Sequence, residues 1–586
     1  MCGIAGWFGS GGHWDANVLR DGLSRRGPDG SGIWRSDKAT LVHTRLAVIG
    51  LGERGAQPMS RAPRNGDDAS DSVLVFNGEI YNYRELGRSD AESDTAVLLE
   101  LLDLEGEACL PRLAGMFAFA FYRPSAGEAL LARDAFGIKP LYYRIDGDNL
   151  AFASEARLLR RPGDEPDAGA LRDFFLWGSV PEPATVAREV RQVPAGHFLR
   201  WKNGRAEVVR WHKPDLRRHR TMPRDEAVRR TRGALEETML RHLVSDVPVG
   251  VFLSGGIDST TVLALARQQL GPKAELRTFS IGFEDPEFDE SAVARRTAEH
   301  FGALHTEWRM TPGEGAEEIR EYLATIDQPT IDGFNSWCVS KLARREGIKV
   351  VLSGLGGDEW FAGYGSFARV PQLHFLHGVL PARVRRFVAA CCGNATAGSP
   401  RRRLCAFLRG EGSWLQAFHA MRGIFTSEEA EELAGHFAGT RPPPPEWSEE
   451  FLPATGPEIA GWMEVTRYMR NQLLRDSDVF SMAQGIELRV PFVDARLADA
   501  LLELPPGYRL EKGKQLLLDA VPEIPEWVRN RPKKGFVFPF SRWMENVFAE
   551  MLEEAQKASP VPLVTWYRIW AAAVGSRAVG NFGRAA

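Results

Sequence analysis

The sequence predicts a two-part α/β protein, with a strand-rich mixed domain over residues 2–200 and a parallel-sheet domain with crossover helices over residues 220–586. Three observations carry this reading. The chain has 586 residues, more than one hydrophobic core organises when domains run at roughly 100–200 residues. Up to residue 160, short apolar runs alternate with Gly, Pro and Asp clusters, which is the rhythm of strands and turns. From residue 226 the pattern becomes helix, buried strand, helix, and that alternation argues for a parallel sheet.

In chain order, VLVF (73–76), MFAFAFY (116–122), ALLA (129–132) and LAFAS (150–154) read as strands, and TAVLLELLDL (95–104) as a helix. Residues 200–225 are Arg-rich and include Lys213-Pro214 and Met222-Pro223, so they read as a solvated connector. EAVRRTRGALEETMLRHL then predicts a helix, VPVGVFL (247–253) a buried strand and STTVLALARQQL the next helix. LRTFSIGF (276–283) and IKVVLSG (348–354) are two further buried strands, each preceded by a helical stretch. Residues 370–460 carry basic helical patches, and the run Pro442 to Pro445 predicts an exposed extended loop. No internal repeat is visible.

Composition narrows the class. Hydrophobic residues make up 44% and charged residues 26%, which excludes disordered, collagen-like and coiled-coil chains. Lys plus Arg total 73 against 77 for Asp plus Glu, a net charge of -4, so no global field gathers nucleic acid or an anionic membrane, and neither is expected as a partner. Any phosphate-bearing ligand must be held locally. The six cysteines show no CxxC pair or zinc-like spacing, and a reducing compartment is the default. The first residues lack a secretory pattern and no apolar run reaches membrane-spanning length, so a cytoplasmic location is expected. Met1 precedes a small residue, a setting in which the initiator is commonly removed, leaving Cys2 at the terminus.

Cys2 would then offer a thiol and an α-amino group on one residue. An α-amino pKa of about 7.7–8.0 suits a general base at neutral pH. Taken alone, a cysteine at position 2 is more readily structural than catalytic. Downstream, however, lie HTRLAVIG (43–50), FNGEIYNYREL (76–86), SDTAVLL (93–99) and RDAFGIKPLYY (133–143), and with these blocks the sequence resembles class II glutamine amidotransferases. The resemblance implies an N-terminal nucleophile hydrolase fold, an α/β/β/α sandwich. It implies that Cys2 attacks the glutamine amide while the Asn77 side chain and the Gly78 N–H form the oxyanion hole, two preorganised donors facing the oxygen that becomes negative. Arg45 would bind the glutamine α-carboxylate and Asp94 its α-ammonium, with Glu79 completing the glutamine-binding set. Only Gly87 to Glu92 separates two blocks that the family usually joins by a longer stretch, so a helix is expected to be missing and the α-amine pocket reshaped.

The second constellation is VFLSGGIDSTT (251–261), a buried strand entering a Gly-rich turn and then a helix, where free N–H groups can face phosphate. No Gly-Lys-Ser/Thr follows, so it is not a Walker A loop. It resembles the SGGxDS loop of ATP pyrophosphatases, which implies that Ser254, Gly255, Gly256 and Ser259 contact pyrophosphate and Asp258 holds magnesium. LSGLGGDEWFAGY (352–364) resembles a second loop of asparagine-synthetase-like domains, adding Ser353 and Gly354 to the ATP site and Asp358 as the second metal ligand, with Glu359 beside it. Two aspartates plus phosphate oxygens suit Mg2+. Leu253 and Ile281 fall where the family contacts the adenine nucleotide. RDSDVFSMAQGIELRVPFVD (475–494) and RPKKGFVFPF (531–540) match late blocks, in which Lys533 or Lys534 would stabilise departing pyrophosphate. Exposed loop lysines remain the alternative for either one.

Together the resemblance implies an asparagine-synthetase-type enzyme. A glutaminase domain releases ammonia, and a synthetase domain with ATP and Mg2+ activates a carboxylate as an acyl-adenylate, most directly aspartate, to give asparagine, AMP and pyrophosphate. The alternative acceptor is another carboxylate, such as a polysaccharide sugar acid or a natural-product intermediate. Leu355 keeps it open, because many asparagine synthetases carry Glu there and leucine cannot move a proton. DQPTIDGFNSW (327–337) matches the region lining the acceptor pocket. A homodimer is compatible with the resemblance.

Overall fold

The computed structural model describes residues 2–10, 14–61, 72–87, 93–391, 398–447, 454–531, 538–540, 543, 548–580 and 582. Among the described residues seventeen strands are formed: β1 Cys2–Phe8, β2 Gly30–Ser36, β3 Ala39–Arg45, β4 Met59–Ser60, β5 Val73–Ile80, β6 Gly115–Arg123, β7 Glu128–Arg133, β8 Tyr142–Asp146, β9 Asn149–Ala153, β10 Val190–Gln192, β11 His197–Lys202, β12 Arg205–Arg210, β13 Val249–Phe252, β14 Arg277–Phe283, β15 Leu304–Met310, β16 Val350–Leu352 and β17 Glu487–Arg489.

The first twelve make two six-stranded sheets, β10-β8-β9-β1-β3-β2 and β12-β11-β7-β6-β5-β4, with antiparallel pairing throughout. The period-2 alternation of strands decides how they stack. Ile4 and Phe8 of β1, Leu41 of β3, Val73 and Val75 of β5 and Leu131 of β7 share one core between the sheets. The other face of β5 and β6, through Phe76, Phe117 and Phe119, packs on Leu98 and Leu102 of the helix Asp94–Glu105. The outer face of β1 and β3, through Ala5 and Val42, packs on Leu19 and Leu23 at the helix Ala16–Gly22. Helix, sheet, sheet, helix is the layered sandwich expected from the sequence.

Residues 200–210 correct the connector reading. They form the hairpin β11–β12, with Lys202 opposite Arg205. Its two-residue turn is Asn203-Gly204, at φ 48 and 82, the left-handed pair that a twisted hairpin favours.

The second half holds a five-stranded sheet, β15-β14-β13-β16-β17, parallel at every pair. β13, β14 and β16 were expected. β15 and β17 were not. Helices cover the sheet, beginning with Arg224–His242 and Ile257–Leu270. Residues 370–460 include helices at Ser366–Val379, Trp414–Arg422 and Ser427–Ala438, and Pro442 to Pro445 run without helix or strand. No helix among the described residues is long and apolar enough to cross a membrane.

Candidate active sites

Alternation builds the first site. Cys2 has the parity of Ile4 and Phe8 on β1, and Asn77 the parity of Val73 and Val75 on β5, so both point between the sheets. There the Cys2 backbone N–H donates to Asn77 Oδ1 at 3.1 Å. Asn77 is fully buried and its Nδ2 has no hydrogen-bond partner among the described residues, an arrangement that leaves a desolvated donor for an incoming oxygen. Gly78 sits at φ +151, and a Cβ there would fall 2.0 Å from Met116 O on the paired strand, so only glycine fits. Burial pushes the Cys2 thiol up. The sulfur is therefore protonated at neutral pH until a base removes its proton.

Arg45 closes β3 opposite Cys2 in register. Its guanidinium donates to the carbonyls of Gly50 at 2.6 Å, Ile49 at 3.4 Å and Gly52. Those acceptors fix its position without neutralising its charge. Asp94 starts the helix Asp94–Glu105, where its carboxylate accepts from the N–H of Ile80 at 3.1 Å and of Thr95 at 2.7 Å. Burial nevertheless pushes its carboxyl up to about 6. Glu79, also buried, is raised by burial and then by Glu487 and Asp94. Residues 88–92 of the shortened connection lie outside the described residues.

The second site lies at the carboxyl ends of β13 and β16, where two Gly-rich loops meet, as ligand sites in open α/β sheets do. After β13, Ser254 N donates to Ser259 Oγ at 3.3 Å and the two hydroxyls are 3.1 Å apart, while Gly255 turns the chain at φ +70. After β16, Gly354 packs onto the first loop so closely that a Cβ would lie 2.6 Å from Ser259 N. Leu253, Ser254, Asp258, Ser259, Ile281, Ser353, Gly354 and Asp358 line one cavity of about 320 Å³, together with Leu355 and Glu359. Gly255 and Gly256 shape the turn and are not among its lining residues. Lys533 and Lys534 lie outside the described residues.

Lys514 is the residue that sequence reading missed. Its ammonium lies 2.5 Å from both Asp258 oxygens and 2.5 Å from Asp358 Oδ1. Burial works to lower its pKa, but the two aspartates hold it above the usual lysine value. Two carboxylates converging on one cation are a fit for a divalent ion that takes one or two carboxylates plus phosphate oxygens. Among the described residues, no group of three or more His, Cys, Asp or Glu side chains could hold a metal alone. Beside it, burial, then Asp358 and Glu464, push Glu359 up to about 8, and Tyr364 OH donates to it at 2.9 Å.

The two sites are joined through buried charges. Asp478 accepts from Arg26 at 2.6 Å and from Lys139 at 3.1 Å, all three sequestered. Arg489 donates to Glu487 at 2.6 Å and lies 5.6 Å from the Tyr81 ring centroid, and its carbonyl accepts from Ser353 N at 2.9 Å.

A buried cysteine at position 2 between paired antiparallel sheets, in one chain with a Gly-rich nucleotide-type turn on a parallel sheet, defines a glutamine amidotransferase fused to an ATP-dependent synthetase. The family follows from comparison with known proteins: the chain belongs to the asparagine synthase family, whose model matches residues 230–573, and a glutamine amidotransferase domain model matches residues 1–212. It is 30% identical over 557 residues to asparagine synthetase [glutamine-hydrolyzing] 1 of Bacillus subtilis, covering 91% of this chain and 86% of that protein. A putative asparagine synthetase [glutamine-hydrolyzing] of Mycobacterium bovis is 32% identical over 573 residues, covering 91% of this chain and 85% of that protein. Asparagine synthetase B of Escherichia coli is 34% identical over 410 residues, 64% of this chain and 67% of that protein.

Proposed function

We propose that the chain forms carbon–nitrogen bonds by moving glutamine-derived ammonia onto an ATP-activated carboxylate. At the first site, once Met1 has been removed, the Cys2 α-amine takes the thiol proton and the sulfur attacks the glutamine amide carbon. Asn77 Nδ2 and the Gly78 N–H hold the oxygen on which charge develops, an effect worth several kcal/mol in such sites. Ammonia leaves, and water releases glutamate from the thioester. Arg45 and Asp94 hold the two ends of the glutamine.

At the second site the acceptor carboxylate attacks the α-phosphorus of ATP, pyrophosphate departs, and ammonia displaces AMP from the acyl carbon with loss of one proton. The Ser254–Ser259 turn and Lys514 would hold the phosphates. Asp258 and Asp358 would hold Mg2+, which supplies neutralising charge when bound. The observation that carries this reading is the approach of Gly354 to Ser259 and Asp258, which brings both loops and both aspartates to one cavity.

Aspartate is the acceptor that the relatives' names indicate, with asparagine as product, and a cytoplasmic location suits such small metabolites. Cys2→Ala tests the division of labour. It should abolish glutamine-dependent synthesis and leave ammonia-dependent synthesis intact, and loss of both would refute the reading.

A further inference from the structure

A second cavity of about 350 Å³ abuts the nucleotide cavity, and Asp332 and Asn335 line both. That volume alone lies in the range of sites for drug-sized ligands, roughly 300–1,000 Å³. Its walls are rings: Trp177, Phe334, Phe418, Tyr468, Trp566 and Trp570 all line it. Phe540, on the same wall, has its centroid 5.6 Å from that of Trp566 and 6.3 Å from that of Trp570.

The helix that borders both cavities is built to leave this room. Residues Glu464–Leu474 form a π-helix, whose i to i+5 bonding widens the turn and recurs at functional sites. Asn471 Nδ2 satisfies the carbonyls of Thr466 at 3.0 Å and Arg467 at 3.1 Å. From this helix Tyr468 and Gln472 reach the aromatic cavity and Leu473 the nucleotide cavity. Gln472, only 4% exposed, presents its amide at this cavity. An amide there can both donate to and accept from a polar atom inside the cavity.

The Arg422 guanidinium, also on the wall, is matched by Glu464 at 2.7 Å and stacked between the rings of Tyr364 and Tyr468 at 4.2 and 4.3 Å. It therefore serves as part of the wall rather than as a waiting receptor for a second carboxylate. A few polar and charged side chains, Asp332 and Arg467 among them, also reach this cavity, so the rings set its bulk and these groups its polar contacts.

Resting on the amide-forming reading above, we infer that the acceptor is a carboxylic acid whose body is a ring that stacks on these aromatic walls. Its carboxylate would reach the nucleotide cavity past Asp332 and Asn335, and the Gln472 amide would meet a polar group on the ring. Two sources share this chemistry, an aromatic acid through its flat π face and a hexuronic acid through the C–H face of its pyranose chair.

The test uses the full chain with glutamine, ATP and Mg2+. Pyrophosphate release is measured with aspartate, with phenylacetate and indole-3-acetate, and with glucuronate and galacturonate, while binding of the same acids is followed by tryptophan fluorescence. A ring acid should exceed aspartate by at least about tenfold in kcat/KM, and the two ring classes separate by which one turns over. Trp566→Ala should raise KM for that acid about tenfold with Trp566→Phe restoring it, and glutaminase activity reports that the variants fold. Aspartate turned over as well as every ring acid overturns the inference and leaves the amide-forming reading standing. Ring acids that bind without pyrophosphate release from any acid refute that reading, and the assignment of an acceptor falls with it. Ring acids that neither bind nor turn over overturn the inference.

Discussion

Lys514 and Asp258 meet at 2.5 Å across 256 residues of chain. Through the same ammonium Asp358 is tied in as well, so two acidic loops that would repel each other are held together by one cation. Lys514 keeps this place with a backbone φ of 59, uncommon for a non-glycine residue. Replacing it by methionine should lower amide synthesis by about a hundredfold or more, the usual loss when one preorganised charge is removed. Glutaminase activity should not change. Parallel assays of pyrophosphate release and glutamate formation check this, and a matched fall in both would contradict the placement.

Gly354→Ala should act on the same site through sterics. Its Cβ would meet Ser259 N at 2.6 Å and the Asp258 carbonyl carbon at 2.7 Å, backbone atoms that cannot swing aside. The loops must part, and misplacement of about 1 Å costs on the order of a hundredfold in rate. Synthesis should fall with ammonia or glutamine as nitrogen source, while a Cys2-directed thiol reagent still inactivates the glutaminase at the parental rate.

Asp94 makes glutamine use depend on pH. Its carboxyl is pushed up to about 6 by burial, and only the ionised form attracts an α-ammonium. The glutaminase kcat/KM should therefore fall as pH drops through about 6, through rising KM. In Asp94→Asn that limb of the profile should vanish and KM should be high at every pH. An unchanged acidic limb in the variant would assign it to another group.

Much of this was legible in residues and some was not. The alternation in β1 and β5 places Cys2 and Asn77 on facing surfaces, because apolar side chains at every second position mark the buried face. The Gly-rich turn after VFL reads directly as a strand-to-helix junction. β17 was hidden, since Glu487-Leu488-Arg489 carries two charges in three residues, and only their mutual pairing in the fold lets both be fully buried. The β11–β12 hairpin was masked because most of β12 is exposed and charged, although Asn203-Gly204 was a turn signal within it. Lys514 has no local signature. Its role comes from a fold that returns the chain to residue 258.

Asp478→Asn should destabilise the whole chain. Removing one charge from a buried set leaves Arg26 and Lys139 unmatched, a loss of about 3–5 kcal/mol. Burial works against the Asp478 carboxylate, but Arg26 and Lys139 hold it below the usual aspartate range. Its contribution is therefore present above the unfolded pKa of about 4 and is lost as pH falls through the lower folded value. Denaturant midpoints should differ most between parent and variant at pH 7 and converge in acid. A constant difference down to pH 2 would exclude this ionisation as the source.

The same three side chains bear on how such a protein can be taken apart. Cut near residue 215, the chain would yield a front fragment with two stranded cations in an apolar wall and a back fragment with one stranded anion. Neither piece would be a self-sufficient module, whatever its own core contributes. Mixed together, they should recover each other as a complementing pair across a seam that neither can leave without exposing an unmatched charge.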